Sequence, residues 1–259
     1  MLKRRSGVTE LPENCKKIIE LKNVDKSFGG VHAINNLSFS VYEGEILGLI
    51  GPNGCGKSTS VNLMTGVYLH DKGEIIYYNA DGSSVALKEQ SVPNRAKLGM
   101  GRTFQTPKPF ADLTVFENIY TIAMLYNRTL KEANKVAEEI VKFVQLDDIA
   151  EQKCTKLPIE KRKWLDMARV LATRPRVLML DECLAGLTPS EMETSLDMVR
   201  KINKQGITVL FIEHVMSAVT KLCNRVVVME EGHFMTEGDP LEVMKKPEVI
   251  RAYLGEDYK

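Results

Sequence analysis

The run Gly51-Pro52-Asn53-Gly54-Cys55-Gly56-Lys57-Ser58-Thr59 has the residue types and spacing of a phosphate-binding loop. Its glycines let the backbone wrap closely, so that N–H groups point at phosphate oxygens. A helix starting at Lys57 adds the partial positive charge of its N-terminus. In that arrangement Lys57 reaches the β- and γ-phosphates of a nucleotide. The Ser58 hydroxyl ligates Mg²⁺, and Thr59 adds a hydroxyl near the α-phosphate. Cys55 within the loop predicts a thiol whose alkylation a bound nucleotide would block.

A second set of chemically able residues lies downstream. The apolar run Val177-Leu178-Met179-Leu180 ends in Asp181-Glu182. An acid at the end of a buried strand beside a phosphate loop can hold the Mg²⁺ shell, which is Asp181. The next acid, Glu182, can orient and deprotonate an attacking water. His214 follows the apolar run 208–212 and is expected at the same sheet edge, able to contact a γ-phosphate and hold the water. A helix-capping or core histidine is the competing reading of that position. His32, His70 and His233 have no such context and are read as structural.

Positioning these groups requires a β/α framework. Residues 18–24 and 37–41 predict strands, the first ending in a turn at Lys26-Ser27-Phe28-Gly29-Gly30. Ile46-Leu47-Gly48-Leu49-Ile50 is a continuous apolar run, hence a buried strand feeding the loop, with a helix over 57–64. A further strand is expected over 74–79 and a loop over 81–84. From 115 to about 144 the apolar period becomes helical: Ala133, Val136, Ala137, Ile140, Val141 and Val144 form one stripe with charges opposite. A third helix is expected over 158–173. Buried strands at 177–180, 208–212 and 226–229, alternating with helices after Pro189 and after His214, imply a mostly parallel sheet. Pro240 and Pro247 each open a short helix.

Composition bounds the rest. The 259 residues are 44% hydrophobic and 27% charged, which suits one large globular unit and excludes wholesale disorder. A net charge of +1 gives no sign of a broad nucleic-acid surface, and Lys3-Arg4-Arg5 reads as a solvated terminus. No apolar run reaches the length of a membrane span, and residues 1–15 carry no apolar core of a secretory signal. Five scattered cysteines without a C-x-x-C pair read as reduced thiols.

Taken together, the chain from about residue 18 to its end resembles the ABC transporter ATPases. That resemblance implies an α/β P-loop NTPase (RecA-like) core, an N-terminal antiparallel β subdomain and an inserted helical subdomain. The implied boundaries are a single domain over 16–259 after a flexible tail, 1–15. The nucleotide-binding core spans 16–107 and 170–239, the helical subdomain 108–169, and C-terminal helices 240–259. ATP and Mg²⁺ are the implied cofactors. The family's aromatic contact with adenine falls on Phe28. The nucleotide is bound by Gly51, Asn53, Gly54, Cys55, Gly56, Lys57, Ser58 and Thr59, and the metal by Ser58, Gln105 and Asp181. Catalysis falls to Glu182, His214 and Gln105, the last also acting as a hinge that senses the membrane partner. The loop 106–110 would lie near that partner.

Within the family, Gly101-Arg102-Thr103-Phe104-Gln105-Thr106-Pro107, Leu113-Thr114-Val115-Phe116-Glu117-Asn118, Ala172-Thr173-Arg174-Pro175-Arg176, Ile212-Glu213-His214 and the stretch Val249-Ile250-Arg251-Ala252-Tyr253-Leu254-Gly255-Glu256 resemble the branched-chain amino-acid importer ATPases, which have relatives serving urea or short amides. The resemblance implies a cytoplasmic subunit held at the inner face of the membrane by transmembrane permease subunits. It also implies a second ATPase chain, and indirectly a substrate-binding protein. A lipopolysaccharide-type exporter ATPase or a soluble non-transport ABC ATPase are the alternatives.

One departure matters. The family signature Leu-Ser-Gly-Gly-Gln falls on Leu157-Pro158-Ile159-Glu160-Lys161, where only the leucine remains. Pro158 has no N–H, Ile159 and Glu160 replace glycines, and Glu160 brings negative charge towards a triphosphate. Because the family's nucleotides sit between two chains, this favours a heterodimer, in which a partner with an intact signature completes one site, over pairing with self. Cys183 and Thr188 also depart from the family pattern, Thr188 standing where Asp or Asn is common.

Overall fold

The computed structural model describes residues 15–254, with only the backbone of Leu254. The expected tail over 1–15 lies, apart from Cys15, outside the described residues, as do Gly255 and Glu256. Strands β1 (Lys17–Phe28) and β2 (Val31–Tyr42) form a hairpin, followed by β3 (Ile46–Ile50), α1 (Lys57–Thr65), β4 (Lys72–Tyr78), β5 (Ser84–Ala86), α2 (Val92–Lys97) and β6 (Met100–Arg102). The helices α3 (Val115–Tyr126), α4 (Leu130–Phe143) and α5 (Ile159–Leu171) come next. The chain then runs β7 (Val177–Asp181), α6 (Pro189–Lys204), β8 (Thr208–Ile212), α7 (Met216–Leu222), β9 (Arg225–Glu230), β10 (His233–Gly238), α8 (Pro240–Val243) and α9 (Pro247–Leu254).

Two sheets result. An antiparallel one has the order β2-β1-β4-β5, and a second has the order β10-β9-β3-β8-β7-β6. In the second, β9 to β6 run parallel and β10 closes the edge antiparallel to β9. The parallel strands are buried on both faces, and their alternation divides them between two cores. Ile46, Ile50, Leu178, Leu180, Val209, Phe211, Val226 and Val228 pack with the helices. Leu47, Leu49, Val177, Met179, Leu210, Ile212, Val227 and Met229 pack with α1 and the antiparallel sheet.

The helical block between β6 and β7 forms from local signals as well as packing. Thr114 and Thr129 each cap a helix and accept from the backbone of Glu117 and Glu132, whose carboxylates reach back to the cap. On α4, Ala133, Ala137 and Val141 are buried, with Val136 and Ile140 partly so, as the apolar stripe predicts. α5 starts one residue later than expected, because Pro158 is its N-cap and lies outside the first turn. Among the described residues no helix is long and apolar enough to cross a membrane.

Other differences from the sequence reading have physical causes. The β1–β2 strands extend to the hairpin tip, so Lys26, Ser27 and Phe28 belong to a strand, with the turn left to Gly29 and Gly30. The three-residue strands β5 and β6 are too short to show a period. The strand β10 is hardly buried, so no apolar run marks it.

Arg95 of α2 is fully buried, and its guanidinium donates to the carbonyls of Leu63 (2.6 Å), Met64 (2.8 Å), Gln90 (3.0 Å) and Leu87. It thereby satisfies carbonyls at the end of α1 that have no partner within the helix. Arg95→Leu should leave these acceptors buried and unpaired and cost about 3 kcal/mol or more. Urea denaturation of the two chains checks this.

Candidate active site

The site lies where three parallel strands end. In the register of the sheet, Leu49 of β3 and Asp181 of β7 both stand level with Ile212 of β8. The next residues of each strand therefore leave the same carboxyl edge: Gly51, Glu182 and the Glu213-His214 pair. In an open parallel sheet this edge is where ligands bind.

From β3 the backbone turns through Gly51, Gly54 and Gly56, all at positive φ. Two of these glycines are required. A Cβ on Gly51 would stand 2.1 Å from the Met229 carbonyl oxygen, and one on Gly56 would stand 2.7 Å from the Ala33 carbonyl oxygen. Gly56 is the N-cap of α1 and provides no side-chain acceptor, and α1 has no acid in its first turn. That helix start therefore offers unsatisfied N–H groups to an anion. The loop is braced by the β9–β10 turn, where Gly232 donates to the Cys55 carbonyl (3.0 Å) and accepts from Asn35 (3.0 Å). The buried Lys57 ammonium donates to the carbonyls of Gly51 (2.8 Å) and Pro52 (2.9 Å). Asn53, Gly54 and Ser58 are exposed at the loop surface, and Thr59 is half-buried.

Cys55 departs from expectation. Its thiol is 3% exposed, and burial pushes its pKa up against the pull of the Lys57 ammonium. Alkylation of the folded chain at pH 7 should therefore be at least ~10-fold slower than in urea, with or without nucleotide, because only an accessible thiolate reacts. Mass spectrometry of alkylated peptides checks this.

Two residues singled out in the sequence converge on the carboxylate of a third. Gln105 Nε2 donates to Glu182 Oε2, and His214 Nε2 lies 3.2 Å from Glu182 Oε1. Gln105 arrives there because β6 runs beside β7 with Arg102 opposite Met179, and Thr103 extends the pairing to the Met179 carbonyl (3.0 Å). Glu182 itself has φ 48°, a left-handed conformation that costs a non-glycine residue on the order of 1 kcal/mol. The competing reading of His214 as a core histidine does not fit its 40% exposed side chain.

A cavity of ≈ 670 Å³ opens beside this cluster, lined among others by Ser58, Arg102, Gln105 and Asp181. Hydroxyl, amide and carboxylate oxygens on one wall suit a Mg²⁺ ion, which keeps much of its shell for water and phosphate. Among the described residues no group of three or more His, Cys, Asp or Glu is placed to hold a metal ion. Burial pushes the Asp181 carboxyl up, and Arg102 pulls it back: Arg102 donates to Asp181 Oδ2 at 2.9 Å and also to Asn62 Oδ1.

Arg102, Asp166 and Arg169 were not read as site residues from sequence. Asp166 Oδ2 accepts from the Phe104 backbone (3.3 Å), and Arg169 donates to the Lys108 carbonyl (2.9 Å). Together they pin the loop that carries Gln105 onto α5. Arg102 stands three residues before Gln105 in the sequence, so its signal was present, whereas Asp166 and Arg169 become neighbours of the loop only through packing.

Phe28 ends β1 with its ring 41% exposed and nearly perpendicular to that of Tyr68 at 4.9 Å. Thr188 is the N-cap of α6 in a reciprocal pair with Glu191, which accounts for a threonine at that position. At the start of α5, Pro158 and Ile159 are exposed. The Lys161 ammonium lies 4.1 Å from the Trp164 ring, and Arg162 donates to the Thr155 carbonyl (3.1 Å).

A model of the ABC transporter family matches residues 34–185. The chain belongs to the ABC transporter family. Over 93% of this ABC chain and 99% of its own length, the high-affinity branched-chain amino acid transport ATP-binding protein BraF of Pseudomonas aeruginosa is 33% identical. The corresponding protein LivG of Escherichia coli K12 is 31% identical over 92% of this chain and 98% of its own length. Among solved structures, a nucleotide-free ATP-binding cassette from an ABC transporter aligns with TM-score 0.81 at 28% identity, covering 93% of this chain and all (100%) of that one. A cassette in its ADP conformation aligns with TM-score 0.82 at 29% identity, with 93% and 100% covered. The fold is thus the ABC cassette, an ATP-binding and ATP-hydrolysing α/β unit with an antiparallel β subdomain and an inserted helical subdomain.

Proposed function

We propose that this chain is the ATP-driven motor of a membrane importer for branched-chain or other hydrophobic amino acids, or for a related small solute such as urea or an amide. The observation that carries the motor reading is the Glu182 carboxylate held between Gln105 and His214 at the sheet edge that carries the phosphate loop. The substrate class rests on the relatives, whose names give branched-chain amino acid transport.

In this reading Gly51, Asn53, Gly54, Cys55, Gly56, Lys57, Ser58 and Thr59 wrap the phosphates of ATP, and Phe28 meets the adenine. Ser58, Asp181 and Gln105 would hold Mg²⁺, which when bound neutralises charge on the β- and γ-phosphoryl oxygens. Glu182 takes the proton of the attacking water. Gln105 and His214 fix the carboxylate on either side, so it needs little reorientation. The division is a nucleotide-binding core over 16–107 and 170–239, a helical subdomain over 108–169 and, among the described residues, C-terminal helices within 240–254.

The chain works at the inner face of the membrane on permease subunits, fed by a substrate-binding protein, and pairs with a second ATPase. A dimeric ABC transporter cassette at 25% identity and TM-score 0.75 supports pairing. The start of α5 favours a heterodimer. Pro158 brings no N–H, Ile159 is 44% exposed, and the two nearby cations already have partners within the chain, Lys161 over the Trp164 ring and Arg162 at the Thr155 carbonyl. The test is purification of tagged Glu182→Gln chain from membranes with ATP. Recovery of two hydrophobic permeases and a second ATPase with an intact signature is expected. Recovery of self alone, or of soluble machinery, overturns the reading.

A further inference from the structure

The turn that follows the catalytic strand is held by a buried cation with no part in the mechanism above. Lys163 of α5 is 6% exposed, and its ammonium donates to the carbonyls of Ala185 (2.6 Å) and Glu182 (3.3 Å). Burying an ammonium is costly unless it is well bonded, and a neutral side chain of the same length would fill the space.

Its partners are all in one place. Residues 182–185 form the turn in which Glu182 takes its left-handed conformation. The Glu182 N–H donates to the Ile212 carbonyl (2.9 Å), and the Leu184 N–H donates to Glu213 Oε1 (2.8 Å). Glu213 is 1% exposed and directly precedes His214. Two donors of the turn are thus taken up by β8 and Glu213, the Ala185 N–H closes the turn on the Glu182 carbonyl (3.3 Å), and Lys163 donates to that carbonyl and to the Ala185 carbonyl. A non-glycine residue in the left-handed region persists only where its surroundings over-determine it.

From this geometry we infer that Lys163 is a positioning residue for hydrolysis. Its ammonium fixes the backbone of the 182–185 turn and so aims the Glu182 carboxylate between Gln105 and His214. The same contact ties the turn to α5, whose first residues are the altered signature. In the dimer of the proposed function that segment faces the partner's nucleotide, so Lys163 is a direct link from one site to the base of the other. The inference rests on the reading of Glu182 as the base.

The test compares full-length parent, Lys163→Met, Lys163→Arg and Glu182→Gln in single-turnover phosphate release and in fluorescent-ATP binding. Lys163→Met should lower the hydrolysis rate about 10- to 100-fold, the scale of a misplaced catalytic group. Its ATP Kd should stay within about twofold, since the phosphate loop is not touched. Lys163→Arg, which keeps the donors, should recover at least part of the rate. Parental hydrolysis in Lys163→Met overturns the inference, and so does a parallel loss of binding and hydrolysis, which marks a structural role alone. Lys163→Gln, shorter and neutral, carries the same test if the methionine chain does not fold. Undiminished hydrolysis in Glu182→Gln would instead remove the reading of Glu182 on which the inference stands.

Discussion

Glu182→Gln should lower ATP turnover by about 10²–10⁴-fold, the range for loss of a general base. ATP binding should change little. The amide is nearly isosteric with the carboxylate and can still meet Gln105 and His214, both of which reach the Glu182 side chain. What it loses is the ability to accept the proton from water. Single-turnover phosphate release measures the first effect and titration with a fluorescent nucleotide the second. A variant that fails to bind ATP would mean that Glu182 holds the fold of the site rather than the reaction.

The second large effect is on binding. Lys57→Met should weaken ATP binding by about 10²-fold, because the only flexible cation of the phosphate loop is removed while the backbone amides remain. Lys57 also satisfies the Gly51 and Pro52 carbonyls. Its loss leaves those acceptors without their donor, so the variant should also be less stable by about 1–3 kcal/mol. Nucleotide titration and thermal unfolding of the same preparations separate the two. Unchanged affinity would mean that the amides and α1 alone carry the phosphates.

Much of this site was legible because its residues are local to strand ends. The phosphate loop follows an uninterrupted apolar strand, and Asp181-Glu182 and His214 each follow another. Once three buried strands are parallel and in register, their following residues must share an edge. The helical stripe from Ala133 to Val144 was legible for the same reason, as a period kept over three turns. What the sequence did not reveal depends on distant partners. Arg102 pairs with Asp181 only because β6 lies beside β7. Lys163 reads as one more charge on a helix until α5 packs over the 182–185 turn. The burial of Cys55 was equally hidden, since it depends on Cys55 joining the core shared with the antiparallel sheet. β10, with little buried surface, left no pattern to read.

The central claim is that Gln105, Glu182 and His214 form one hydrolytic unit above the phosphate loop. It is tested most directly by single-turnover phosphate release from Gln105→Ala, Glu182→Gln and His214→Ala, with ATP affinity measured on the same samples. The account predicts that each loses at least about tenfold in rate, that Glu182→Gln loses most, and that all bind ATP within about threefold of the parent. Hydrolysis at the parental rate in Glu182→Gln would contradict it.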